Sequence, residues 1–184
     1  MRRLKRDLIH KGRVTNFVVN TYEAPDGSQF QRELLEHPGA AVIVPMISPD
    51  EVLMVEQFRP GANRPLLEFP AGCLDAGEDP LACAARELAE ETGYRAGKLE
   101  SLFTMFPSPA FMSEQMYLFL ATDLTPAGGQ QLDEHEYVTV RQFSLRDLRI
   151  QMRSGNIKDG KTIAALCYLL AFKPWLAQEQ SKQQ

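Results

Sequence analysis

The first half of the chain reads as strands. Residues 13–25 (RVTNFVVNTYEAP) and 28–37 (SQFQRELLEH) flank Asp26-Gly27, a pair suited to a tight turn, so the stretch predicts a β-hairpin. The run AAVIVPMI is continuously apolar and short, as in a strand buried on both faces. SPDE makes a turn, VLMVEQF returns as the next strand, and PLLEFPAG predicts a short strand broken by Pro70 and ended by Gly72. The pattern then becomes helical. Asp79 suits an N-cap, Pro80 the first helical position and Gly93 the terminus. Leu81, Ala84, Ala85 and Leu88 fall at helical spacing and predict the apolar face. Strands resume at KLESLFTMF, QMYLFLATDL and YVTVRQF, and helices over 144–154 and 160–172 close the chain. The last helix is strongly apolar and should pack on the sheet. One mixed sheet with helices on both sides is the simplest layered arrangement.

The charges on the middle helix change the picture. Glu87 and Glu91 are four apart and Glu90 is three from Glu87, so all three share one face, nearly opposite Leu88. Arg86 can pair with Glu90. Like charges at this spacing repel unless something compensates. Ordinary solvated surface charge is one reading. A hard divalent cation is the other, since Mg2+ takes oxygen ligands and serves phosphate chemistry.

With 184 residues the chain suits one domain with a proper core. Its apolar and charged fractions, 44% and 24%, are those of an ordinary globular protein. A net charge of -4 argues against a nucleic-acid surface and means that a polyanionic substrate needs metal ions or specific arginines. The three cysteines form no CxxC pair and read as buried or half-buried free thiols in a reducing compartment. The basic start lacks the apolar run of a signal peptide, and no stretch nears the ~20 apolar residues of a membrane span. These features predict a cytoplasmic protein without membrane or nucleic-acid partners, with a frayed polar tail.

The stretch GCLDAGEDPLACAARELAEETGY resembles the signature of the Nudix hydrolases at every fixed position. Gly72 and Glu78 open it, Arg86-Glu87-Leu88 and Glu90-Glu91 form its centre, and Gly93-Tyr94 close it. The resemblance implies an α/β/α sandwich with a mixed central sheet, preceded by antiparallel N-terminal strands. It implies hydrolysis of nucleoside diphosphates linked to another moiety, with Mg2+ that Mn2+ can replace. Glu87 and Glu91 would then be the main metal ligands, with Glu90 as ligand or partner of Arg86. Glu78 would brace the loop and helix through Arg86, and the Ala71 carbonyl would be a further ligand.

The flanks VEQFRP, LLEFPAG, RELLEHPGAAVIVP and GKTIAALCYLL resemble the branch that cleaves ADP-ribose and nucleoside diphosphate sugars, as does Pro109. For a general base the acidic loop DEHEYV offers Glu134 first, with Glu136 beside it, and Glu114 in SPAFMSE is the rival. Arg32 and Arg59 match substrate-binding arginines of the family. An ordinary salt bridge, to Glu33 or Glu56, is the alternative for them, and Glu56 itself counts among the substrate contacts. Tyr22, counted with the substrate contacts, Phe17 and Phe30 are the candidates to stack on the base, and the sequence does not choose among them. His10, His37 and His135 read as incidental. Ala110 stands where the family often has glycine, which leaves ADP-ribose and GDP-mannose both open. The branch implies a homodimer whose N-terminal strands reach the partner's site. The resulting division is 1–38 for dimerisation and substrate contact, 39–175 for catalysis and 176–184 as tail. Other readings are a dinucleoside polyphosphate or capped-RNA pyrophosphatase and a sensor that binds nucleotide without cleaving it.

Overall fold

The structure is a computed structural model that describes residues 1–132, 134, 135 and 137–173. The chain begins with β1 (Arg2–Lys11), β2 (Asn16–Glu23) and β3 (Gln29–Glu36). Then follow β4 (Ala40–Pro45), β5 (Glu51–Arg59), β6 (Arg64–Glu68), β7 (Ala71–Cys73) and α1 (Pro80–Thr92). Last come β8 (Tyr94–Met105), β9 (Met116–Pro126), β10 (Val138–Ser144), α2 (Leu145–Arg153) and α3 (Gly160–Phe172). The hairpin turns at Asp26-Gly27, where Gly27 has a φ of 83° and the Asp26 carboxylate accepts from the Ser28 N–H.

The described residues form three sheets, in the orders β1-β2-β3, β10-β5-β6 and β7-β4-β9-β8. The expected mixed central sheet is the four-stranded one, with β4 parallel to β9 and antiparallel to β7, and the expected antiparallel strands β1-β2-β3 precede it; β5, β6 and β10 pair in a sheet of their own. The expected strand PLLEFPAG is in fact two. Phe69 and Pro70 turn the chain out of β6, and β7 pairs with β4 instead, so Gly72 lies inside a strand rather than ending one. The basic start is itself strand β1, antiparallel to β2.

Strand β4 explains its unbroken apolar run. Side chains alternate across a strand. Val42 and Val44 enter one core with Leu118, Leu120, Leu148, Ala165, Leu166 and Leu169, under α2 and α3. Ala41 and Ile43 enter a second core with Cys83, Ala84, Leu88 and Phe119, under α1. The sheet is therefore covered on both faces and has no polar side to present. The buried stripe of α1 is Cys83, Ala84, Leu88, Glu91 and Thr92, rotated from the expected one: Leu81 is 45% exposed and Ala85 also faces solvent. The apolar count along the helix misleads because a carboxylate, Glu91, belongs to the inner face. Among the cysteines, Cys167 is exposed, against expectation, because α3 packs through Ala165, Leu166 and Leu169.

Candidate active site

Helix α1 starts at Asp79, extended as an N-cap should be, although its side chain makes no capping bond; the Asp79 carbonyl accepts from the Cys83 N–H. Gly93 ends the helix in the left-handed conformation, with φ of 73°. Between these ends, Arg86 organises the carboxylates. Its Nε and Nη2 donate to both oxygens of Glu78 at 2.9 and 2.8 Å, in the bidentate geometry that makes such pairs strong. Its Nη1 donates to Glu87 at 2.6 Å and to Glu90 at 3.0 Å. The Arg86 bond, reinforced by the Asp75 N–H and opposed by burial, holds the Glu78 carboxyl down to about 2. The same partners, Glu78 first, raise the guanidinium above its ordinary range.

Glu91 is 2% exposed and accepts from the Ala71 N–H at 3.1 Å. In an extended residue N–H and C=O leave on the same side, so the Ala71 carbonyl also faces the helix. Gly72 lets β7 pass over the helix: a Cβ there would lie 1.9 Å from the Glu87 carboxyl. The oxygens that could serve as donors are those of Glu87, Glu90, Glu91 and the Ala71 carbonyl, all hard, of the kind that suits Mg2+ or Mn2+. Among the described residues no three His, Cys, Asp or Glu side chains already converge on one point. Arg86 engages Glu87 and Glu90, so the set fits a metal by chemistry, with its carboxylates held apart by the guanidinium.

Ala71, Arg86, Glu87 and Glu90 border a cleft of about 780 Å³, within the range of ligand sites, and Glu91 lies buried outside its lining. Arg59 enters it, but its partner is Glu68, gripped at 2.8 and 2.6 Å, and neither Glu33 nor Glu56. Glu68 is 1% exposed. Burial pushes its carboxyl up, but the bond from Arg59 and the charges of Lys161 and Arg59 outweigh this and lower it. Lys161 bonds Glu68 from α3 and pairs with Asp159 at 3.1 Å.

The other expected site residues divide. Glu114 has a side chain 12% exposed, 3.7 Å from His37 Nδ1, and His37 Nε2 lies 3.5 Å from Cys73 Sγ on the cleft wall. Burial raises the Cys73 thiol, and the charges of Glu114 and Glu87 raise it further, so both carboxylates are felt at one wall. Glu134 is 90% exposed beside His135 and does not line the cleft. Its loop is nonetheless sewn to α1: the Gln131 N–H donates to the Glu90 carbonyl and Gln130 to the Glu91 carbonyl. Glu136 lies outside the described residues. Glu56 pairs with Arg141 at 3.0 Å, away from the cleft. Arg32 lies over Phe30, 4.6 Å from the ring centroid, and Tyr22 stacks on Phe30; both belong to the N-terminal sheet, outside their own chain's cleft. His37, read as incidental, is the link between Glu114 and the cleft. Arg13, Pro38, Gln57 and Gln131 also line it and carry no sequence signal.

A model of the NUDIX domain matches residues 37–166. The chain belongs to the NUDIX domain family. Relatives of this NUDIX chain include the ADP-ribose pyrophosphatase of Bacillus subtilis (strain 168), 37% identical over 90% of this chain and 90% of its own. A methanol dehydrogenase activator of Bacillus methanolicus is 36% identical over the same shares. A GDP-mannose pyrophosphatase of Yersinia pestis (strain Pestoides F) is 33% identical over 83% of this chain and 80% of its own. The solved structure of an ADP compounds hydrolase shares the NUDIX fold, with a TM-score of 0.80 over 97% of this chain and 95% of its own, at 23% identity.

Proposed function

We propose that the chain hydrolyses the pyrophosphate bond of ADP-ribose or a related nucleoside diphosphate sugar, giving AMP and ribose 5-phosphate from ADP-ribose. The observation that carries this reading is the face of α1, where Glu91 accepts from the Ala71 N–H and Arg86 holds Glu87 and Glu90 beside a cleft that Ala71, Glu87, Glu90 and Arg59 line. The names of the relatives support the substrate class. GDP-mannose is the second reading, supported by the relatives named for it.

Glu87, Glu90, Glu91 and the Ala71 carbonyl would hold Mg2+ or Mn2+. Bound there, the metal would neutralise phosphate oxygens and make water more acidic. Arg86 keeps Glu87 and Glu90 in register on the helix, and Glu78 keeps Arg86 in place. Glu68 and Lys161 fix the guanidinium of Arg59 at the cleft, ready for a phosphate oxygen. Glu114 takes the role of general base in this reading, ahead of Glu134. Its support is its half-buried seat beside His37, where a carboxylate near the cleft can accept a proton from water. Glu134 stands in solvent and keeps that role only if its loop closes on the substrate.

The same reading makes the chain a homodimer, with residues 1–38 serving dimerisation and substrate contact and 39–175 catalysis. Support comes from Leu4, Leu8 and Ile9, exposed on β1, and from Arg32 and Tyr22, which their own cleft does not use. The absence of disulfides among the three cysteines suits a cytoplasmic location. No helix among the described residues is long and apolar enough to cross a membrane.

The test is phosphate release, after coupled phosphatase treatment, from ADP-ribose, GDP-mannose, UDP-glucose, diadenosine polyphosphates and nucleoside triphosphates, with Mg2+ and with EDTA. Sugar nucleotides should lead, and only with metal; a lead by polyphosphates would sink the substrate assignment. Glu91→Gln should lose about a thousandfold or more in rate while staying folded, since it removes a metal ligand but keeps an acceptor for the Ala71 N–H. No turnover by the folded wild type would leave a nucleotide sensor.

A further inference from the structure

Three arginines line the cleft: Arg13, Arg59 and Arg86. Two of them already answer the chain's own carboxylates. Arg86 faces Glu78, Glu87 and Glu90. Arg59 shares Glu68 with Lys161, whose other partner is Asp159, so two cations meet two anions. Arg13 forms no hydrogen bond or ion pair among the described residues. A cleft built to receive a diphosphate in a protein of net charge -4 has here a cation that neutralises nothing of its own.

The backbone holds Arg13 in place. The turn between β1 and β2 closes by the Gly12 N–H donating to the Thr15 carbonyl at 3.0 Å. A Cβ on Gly12 would lie 2.4 Å from that carbonyl oxygen, so the tight turn depends on glycine. The turn presents Arg13 and Val14 to the cleft, across from β7 and the start of the loop before α1.

We propose that Arg13 binds a phosphate oxygen of the substrate's pyrophosphate, from the N-terminal hairpin of the same chain that carries the metal-binding helix. The assignment rests on the hydrolase reading above. It gives the N-terminal sheet a task in its own cleft, separate from any reach into a partner's. A guanidinium can grip the two oxygens of a phosphate at once, and an ammonium cannot.

The test uses the full chain as wild type, Arg13→Ala, Arg13→Lys and Gly12→Ala. Calorimetry with Mg2+ and α,β-methylene ADP-ribose reads binding without turnover. Arg13→Ala should weaken it roughly ten- to a hundredfold, the usual scale for a hydrogen bond to a charged group. Arg13→Lys should recover part of the loss, and Gly12→Ala should lose affinity by displacing the turn. With ADP-ribose, Arg13→Ala should raise KM by a larger factor than it lowers kcat. Its melting temperature should stay at the wild-type value, because the side chain is exposed and unpaired. AMP and ribose 5-phosphate, titrated separately, show which phosphate Arg13 holds, by which of them loses affinity. Equal binding by wild type and Arg13→Ala overturns the proposal, as does a loss confined to kcat. If the wild type cleaves no sugar nucleotide, the hydrolase reading falls, and inorganic pyrophosphate with Mg2+ decides for Arg13. Weaker pyrophosphate binding by Arg13→Ala then supports it; equal binding or none refutes it.

Discussion

A methyl group at residue 72 would stand 1.9 Å from the Glu87 carboxyl, which is the far end of a flexible side chain. Glu87 can swing away at little cost, so Gly72→Ala separates stability from activity. The expected outcome is a melting temperature within a few degrees of wild type and hydrolysis reduced more than tenfold, because the displaced carboxylate is one of the metal ligands we propose. Equal activity would show that Glu87 is not held where β7 meets α1. Glu78 supplies a pH test. Its carboxyl titrates at about 2 in the folded protein against 4.5 ordinarily. A lowered folded value adds stability that is complete above about pH 4.5 and lost as the pH falls towards 2. Urea melts of wild type and Glu78→Gln should therefore differ at pH 6 and converge by pH 2 to 3. A constant difference would assign the effect to shape rather than charge. At this scale part of the pattern was legible before the fold: Arg86 grips Glu78 and Gly93 ends the helix, as their spacing announced, while Gly72 lies inside β7 instead of ending a strand. His37 and Arg13 were not, because a residue that reaches the site through tertiary packing leaves no trace in local spacing.

At the scale of elements, α1 shows where pattern reading slips. Leu81, Ala84, Ala85 and Leu88 make a plausible apolar stripe, yet the buried stripe includes Glu91 and Thr92 and omits Leu81 and Ala85. The helix is turned so that a carboxylate lies inside, where it accepts from a strand amide. Leu88→Ala should cost about 2–5 kcal/mol in chemical denaturation, as for a large residue truncated in a packed core. Leu81→Ala should stay within about 0.5 kcal/mol. Similar costs for the two would mean that the helix sits in the register the sequence suggested. The strand run 40–45 was read correctly because its signal is a bare absence of polar residues. The division of PLLEFPAG was hidden, since Pro70 marks a break but not that the two sides pair with different strands.

The whole molecule is where sequence reading carried least. Strands, helices, the mixed central sheet and the antiparallel strands before it were legible; the separate sheet of β10, β5 and β6 was not, because pairing between distant strands depends on which faces can be covered together. The N-terminal sheet is joined to the rest where Leu35 meets Met112 and where Arg13 borders the cleft. The four-stranded sheet rests on the parallel pairing of residues 40–45 with 116–121. Everything between those strands, β7 with Gly72, helix α1 and Glu114 included, belongs to the segment that this pairing ties off. Distant pairings form late, after the cost of closing the intervening chain has been met. Time, then, is a property of this site. During refolding the helical signal should return first, and hydrolysis should reappear with the slowest phase. A chain caught before that phase, as one emerging from the ribosome would be, would carry the full set of carboxylates and yet be inert.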